Sequence, residues 1–162
     1  MKLLSLLSII VLVIAFSSCS DDENNSQTVI DAGIEISVQS SADGVDLLSP
    51  QTPGFYKKDE IKFYELIGEE KVLVNNPNED FPSGFMIFVD ADQLHRIRFF
   101  GNAGSPNLKV TNIIDWNATE IDTLEYIIER GDNYTIINKV WFNGEEKWDA
   151  ASQTERFFII EK

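Results

Sequence analysis

From about residue 29 onward the chain alternates apolar and polar side chains with a period of two, and no stretch sustains a 3.6-residue period. Ile34, Ile36 and Val38 alternate with Glu35, Ser37 and Gln39, which describes a strand with one buried and one wet face. Further strands are predicted at residues 61–67, 71–74, 84–89, 94–100, 122–129, 134–142 and 156–160. Turn residues separate them: Pro53-Gly54, Asn75-Asn76-Pro77, Gly104-Ser105-Pro106, Gly131-Asp132-Asn133 and Asn143-Gly144. Glycine and asparagine supply the positive φ of tight turns, and proline cannot continue a paired strand. Arg130-Gly131-Asp132-Asn133 lies between two long strands and reads as a hairpin loop. Residues 115–124 could hold at most one turn of helix, because Trp116 and Ile121 make a poor stripe. Short strands this closely spaced predict an all-β fold. The expected form is an antiparallel β-sandwich of about seven to nine strands with an immunoglobulin-like arrangement.

A chain of 162 residues fits one domain, and 11 Phe against two Met suggest a core of aromatic and β-branched side chains. Charge narrows the partners. With 13 Lys and Arg against 27 Asp and Glu, the formal charge is −14. Such a surface repels phosphates, which argues against nucleic acid and against electrostatic docking on anionic lipid. Membrane attachment would therefore have to be covalent.

The first residues offer that chemistry. Lys2 precedes a 14-residue apolar run, Leu3–Phe16, followed by Ser17, Ser18 and Cys19. A basic start, a short apolar run and small residues before a cleavage point describe a secretory signal. The run falls short of the roughly 20 apolar residues that a spanning helix needs. Cys19 is the only cysteine, so it has no disulfide partner within the chain. Phe16-Ser17-Ser18-Cys19 resembles the lipobox of bacterial lipoproteins, with Phe16 where Leu is usual. The resemblance implies cleavage before Cys19 and acylation of that residue. Loss of residues 1–18 removes Lys2, their only charged side chain, and takes the charge from −14 to −15. Two or three acyl chains would anchor the product firmly, since each buried CH₂ contributes about 0.8 kcal/mol.

Ser20-Asp21-Asp22-Glu23 resembles the acidic export signal of Bacteroidetes lipoproteins, which implies an outer-membrane protein facing the cell exterior. Residues 19–29 would then be an acylated cysteine with a flexible acidic tether, and residues 30–162 the folded domain. The tether's root-mean-square span is roughly 15–18 Å, which keeps the domain near the bilayer. The domain itself is similar to small Bacteroidetes lipoproteins of unassigned function. That similarity is carried by residues 43–50 (Asp-Gly-Val-Asp-Leu-Leu-Ser-Pro), 61–64 (Ile-Lys-Phe-Tyr) and 140–144 (Val-Trp-Phe-Asn-Gly). None of these motifs is catalytic.

Histidine chemistry would have to pass through His95, the single histidine. Its parity with Ile97 and Phe99 predicts a half-buried residue on the inward face. No nucleophile elbow and no phosphate-cradling loop occurs, and one His with an acylated Cys cannot make a zinc site. Asp90 and Asp92 with residues 75–80 carry oxygen ligands of the kind calcium takes, but their spacing matches no EF-hand and reads as a solvated loop. No catalytic residue, metal or cofactor is therefore assigned, and the chain is read as a non-enzyme.

Trp116, Trp141 and Trp148 are the candidate ligand-stacking residues, each weighed against core packing. Asp122-Thr123-Leu124 resembles the acceptor motif of Bacteroidetes O-glycosylation, which makes Thr123 a candidate modification site. The expected function is a lipid-anchored, non-enzymatic binding module for a glycan or an envelope protein. The alternatives are a structural envelope protein and a carboxylate-dependent glycan hydrolase.

Overall fold

The computed structural model describes residues 28–162, and Cys19 and the acidic residues Ser20, Asp21, Asp22 and Glu23 lie outside them with the expected signal peptide. The described residues form strands and no helix. In chain order the strands are β1 (Val29–Asp31), β2 (Gly33–Gln39), β3 (Lys62–Ile67), β4 (Glu70–Leu73), β5 (Phe85–Val89) and β6 (His95–Phe100). They continue as β7 (Lys109–Asp115), β8 (Ile121–Gly131), β9 (Tyr134–Phe142), β10 (Glu145–Asp149) and β11 (Phe157–Glu161).

Two sheets result. The larger runs β1-β9-β8-β7-β3-β4, with β10 also on β9, and the smaller runs β11-β2-β6-β5. β1 pairs with the start of β9 and β10 with its end, so the two share one edge of that strand.

The sheets meet through aromatic rings contributed from both sides. Phe63 of β3 lies 4.7 Å from Phe99 of β6, and Phe142 of β9 lies 5.9 Å from Phe158 of β11, centroid to centroid. Phe99 also packs edge-on against Trp116. Around these rings Ile34, Ile36, Ile97, Ile114, Leu124 and Val140 are fully buried. Each such side chain contributes roughly 1.5–3 kcal/mol through lost contact with water.

The all-β, sandwich-like expectation stands at that level, and two details differ. The sheets are mixed rather than antiparallel, because β1 runs parallel to β9 and β2 parallel to β11. The N-terminal segment crosses from one sheet to the other at Ala32, so its two halves each lie beside a strand from the C-terminal third of the chain. Alternation specifies which face of a strand is buried but carries nothing about the direction of its neighbour. There are also eleven strands among the described residues, not seven to nine.

The additional strands are β1, β7 and β10. β1 is three exposed residues, and β10 is mostly charged with one buried ring, Trp148. β7 alternates cleanly, but its inward row is Val110, Asn112 and Ile114, and the asparagine hides the pattern. No helical turn forms at residues 115–124. β7 ends at Asp115, the Trp116 amide donates to the Glu120 carbonyl, and β8 begins at Ile121.

Two local features fix the ends of the larger sheet. Asn143 and Gly144, with φ of 52° and 79°, form the β9–β10 turn, where both central residues need positive φ. Arg156 ties the sheets together where the chain crosses between them. Its guanidinium donates to both Asp31 carboxylate oxygens and to the carbonyls of Gly33 and Ile137, and it stacks on the Trp148 ring at 4.7 Å.

Candidate functional site

The outer face of the larger sheet carries the only tryptophan among the described residues that is not buried. Strand register places side chains there in rows. One row runs Leu73, Tyr64, Ile113, Thr123, and the next runs Thr111, Glu125, Trp141, Glu146. A third places Lys109, Ile127, Lys139 and Asp149 side by side. Trp141 reaches this face because the β8–β9 pairing slips between Ile127 and Ile128. Asn138 is the extra residue of that bulge, and past it Val140 and Phe142 point inward while Trp141 points out.

Two ammonium groups flank the half-buried Trp141 ring. Lys109 Nζ lies 5.6 Å and Lys139 Nζ 5.8 Å from its centroid, within the range of cation–π attraction. Each lysine is also held by carboxylates: Lys109 by Glu125 at 2.8 Å, Lys139 by Asp149 at 2.6 Å and Glu146 at 3.2 Å. Hydrogen bonds donated to Asp149 and then to Glu146 hold the Lys139 ammonium above its usual pKa, and the first of them lowers that of Asp149. The ring is thus framed by donors and acceptors at fixed positions, with aliphatic and hydroxyl side chains beyond. Such a surface suits a flat ligand with polar groups on its rim, as a sugar ring has.

The other two tryptophans leave the candidate set. Trp116 is fully buried and donates through Nε1 to Asp122 at 2.6 Å, and Trp148 is 4% exposed beneath Arg156. Neither presents a ring to solvent, because both fall in the inward row of the sandwich. Thr123 sits mid-strand on the outer face and is half-buried, while its neighbours Asp122 and Leu124 are turned into the core. Its amide donates to the Asn143 side chain at 2.8 Å.

His95 is half-buried. Its Nδ1 lies 2.8 Å from Asp46 Oδ2, which also accepts from the His95 backbone amide, and its carbonyl accepts from Ser37. Asp90 is used within its own turn, accepting from the amides of Asp92 and Leu94 and from Arg96 Nε.

The lysines beside Trp141 were not among the sequence candidates. Lys139 was findable, being two residues from Trp141 on the same strand. Lys109 was not, since it belongs to β7, which the inward-facing Asn112 concealed.

Comparison with known proteins found no matching family, no matching curated protein and no matching solved structure.

Proposed function

We propose that this chain is a lipid-anchored envelope protein, acylated at Cys19 and held at the outer-membrane surface, whose domain is a non-enzymatic binding module. The outer face around Trp141 is its binding surface, and the ligand is a glycan whose ring stacks on the indole. One observation carries the reading: a single half-buried Trp on an open sheet face, framed by Lys109, Lys139 and Glu125, while the remaining tryptophans are committed to the core. Core packing explains Trp116 and Trp148 but not an indole raised onto the wet face by a bulge. Stacking of a flat apolar ligand face on such a ring is favourable, and the fixed charges around it supply orientation.

An immunoglobulin-like arrangement is supported by the N-terminal strand divided between the sheets and by Tyr126. The hydroxyl of Tyr126 accepts from the Asn102 backbone amide at 2.8 Å and pins a loop much as the corner tyrosine of that fold does.

The test is a glycan array probed with the full-length protein in detergent, with Trp141→Ala and Lys139→Ala beside it. Binding that Trp141→Ala abolishes, with unfolding midpoint unchanged, is the expected result. No glycan retained, or retention indifferent to Trp141, rejects the surface. For the anchor, metabolic labelling with palmitate should be lost in Cys19→Ala, and an unlabelled wild type rejects it.

A further inference from the structure

A second surface lies on the smaller sheet, in the layer opposite the Trp141 face. β5 (Phe85–Val89) ends the order β11-β2-β6-β5, so it has β6 on one side and no strand on the other. Its sequence, Phe-Met-Ile-Phe-Val, holds no charge, proline or glycine, and no bulge interrupts its register on β6. Charges, prolines and bulges are the usual means of keeping a sheet edge from pairing with another chain. The other edge strands carry charge: β1 has Asp31, β4 has Glu70 and Lys71, and β11 has Glu161. Among the described edge strands β5 alone is apolar throughout.

The ladder settles which of its backbone groups face outward. The Phe100 amide donates to the Gly84 carbonyl and the Asp90 amide to the Leu94 carbonyl, so both ends of β5 are bracketed by residues bonding toward β6. Bonding alternates along an antiparallel strand, so Met86 and Phe88 also turn their amides and carbonyls to β6. Phe85, Ile87 and Val89 turn theirs away. Phe85 is 2% exposed and closed to a partner. Ile87 is half-buried and Val89 is 50% exposed, and no hydrogen bond reaches the outer side of either backbone among the described residues. The open stretch is Ile87–Val89, which offers two N–H donors and two carbonyl acceptors.

Charge decides what fits there. Glu79 and Asp80 precede β5 and Asp92 follows it, all three exposed. Glu79 accepts from the neutral Asn76 side-chain amide rather than from a cation. On β6, Arg96 and Arg98 are taken up by Glu35, Asp90 and Glu155. Both ends of the open edge are therefore negative, on a chain of formal charge −14. A second copy pairing β5 with β5 in antiparallel would set acidic end against acidic end. A basic chain meets the opposite sign at both.

From this geometry we infer that the β5 edge is a docking site for an extended, basic segment of a partner protein. That segment has an apolar centre flanked on both sides by lysine or arginine, and it adds a fifth strand to the smaller sheet. Ile87 and Val89 each donate one backbone hydrogen bond to it and accept one, which is the mode of strand addition. Its central side chains continue the rows of Ile87 and Phe88, and its basic ends meet Glu79, Asp80 and Asp92. The site shares no residue with the Trp141 surface.

The experiment is an NMR titration of the full-length ¹⁵N-labelled protein in a non-ionic detergent, with three synthetic peptides. The first is Lys-Lys-Val-Thr-Val-Thr-Val-Lys-Lys, and the second has glutamate for every lysine. The third keeps the lysines but carries N-methyl groups on its central Val and Thr amides. The first should give saturable shifts of the Ile87 and Val89 amides and slow their hydrogen exchange, leaving the Trp141 indole resonance unmoved. The other two should bind at least about tenfold more weakly. Val89→Pro removes an outward N–H and no ladder bond, a position where an edge strand tolerates proline. It should weaken the lysine peptide about tenfold with the urea midpoint held, and Trp141→Ala should not change the affinity. The last arm separates this edge from the glycan surface, so either can fail alone. No saturable shift at Ile87 and Val89 overturns the inference, as does equal binding of the glutamate or the N-methylated peptide. Protection of those amides that grows with protein concentration, without peptide, also overturns it and gives the edge to a second copy. If Val89→Pro does not fold, the N-methylated peptide on the wild type decides.

Discussion

Replacing Asp122 by alanine should destabilise the domain by about 3–5 kcal/mol, and the structure shows where that figure comes from. The carboxylate is 5% exposed, accepts two hydrogen bonds, from Trp116 Nε1 at 2.6 Å and Asn143 Nδ2 at 2.8 Å, and pairs with the Lys162 ammonium at 2.5 Å. Hydrogen bonds to a charged group are worth about 1.5–3 kcal/mol each, so simple addition overestimates the loss. Asn143 is exposed and can turn to water. The Lys162 side chain retains 16% exposure and recovers part of its hydration. Trp116 is fully buried and recovers nothing, so its orphaned N–H sets a floor of about 1–3 kcal/mol. Adding the incompletely rehydrated ammonium leads to the stated range, a large part of the 5–15 kcal/mol typical of a domain.

Urea unfolding at neutral pH, followed by tryptophan fluorescence and far-ultraviolet circular dichroism, measures this directly. The midpoint should fall with the slope unchanged. A cycle with Lys162→Met should show coupling of about 1–3 kcal/mol, because each single change leaves the opposite member of the pair without its partner. A loss below about 1 kcal/mol in Asp122→Ala, or zero coupling in the cycle, refutes the reasoning.

Three further outcomes are expected. Trp141→Ala should alter stability by less than about 1 kcal/mol, whereas Trp116→Ala should cost about 3–5 kcal/mol, both read from urea midpoints. Below about pH 4 the contribution of Asp31 should disappear: the Arg156 guanidinium holds its carboxyl below the usual range, so that stability is complete above the unfolded value of about 3.9 and is lost as pH falls through the folded one. The difference in acid slope between wild type and Asp31→Asn isolates it, and parallel slopes contradict it. Burial raises the phenols of Tyr56 and Tyr126, the first with help from Glu120. Above about pH 10 the unfolded chain therefore loses protons that the folded one keeps, and stability should fall as pH rises. Phenolate absorbance from these two should appear together with unfolding, and their ionisation in the folded protein contradicts the assignment.

The fold was legible wherever a strand buries one face and wets the other. In β2, β6 and β8 the inward residues are apolar and the outward ones mostly polar, so their spans follow from alternation. The turns were legible for the same local reason, as Asn143-Gly144 shows. Strand partnership was not. The parallel pairing of β2 with β11 joins residues more than a hundred positions apart, and nothing local in Gly33–Gln39 encodes which neighbour it takes. β7 was hidden by a single residue, Asn112, which occupies a core position that the pattern reserves for an apolar side chain.

An inward-facing asparagine on an otherwise regular strand violates binary patterning, and such violations concentrate where a fold does something besides pack. The same logic explains Trp141: a bulge at Asn138 shifts the parity of β9, so an aromatic that a core strand would bury stands on the wet face instead. Asn138 itself keeps a buried Oδ1 without a partner among the described residues, which marks the bulge as a place where ladder regularity gave way to side-chain placement. Two departures from period two, an asparagine in β7 and an extra residue in β9, account for the hidden strand and the indole platform. The sequence displayed both departures, but only the strand register shows which side chains they bring together.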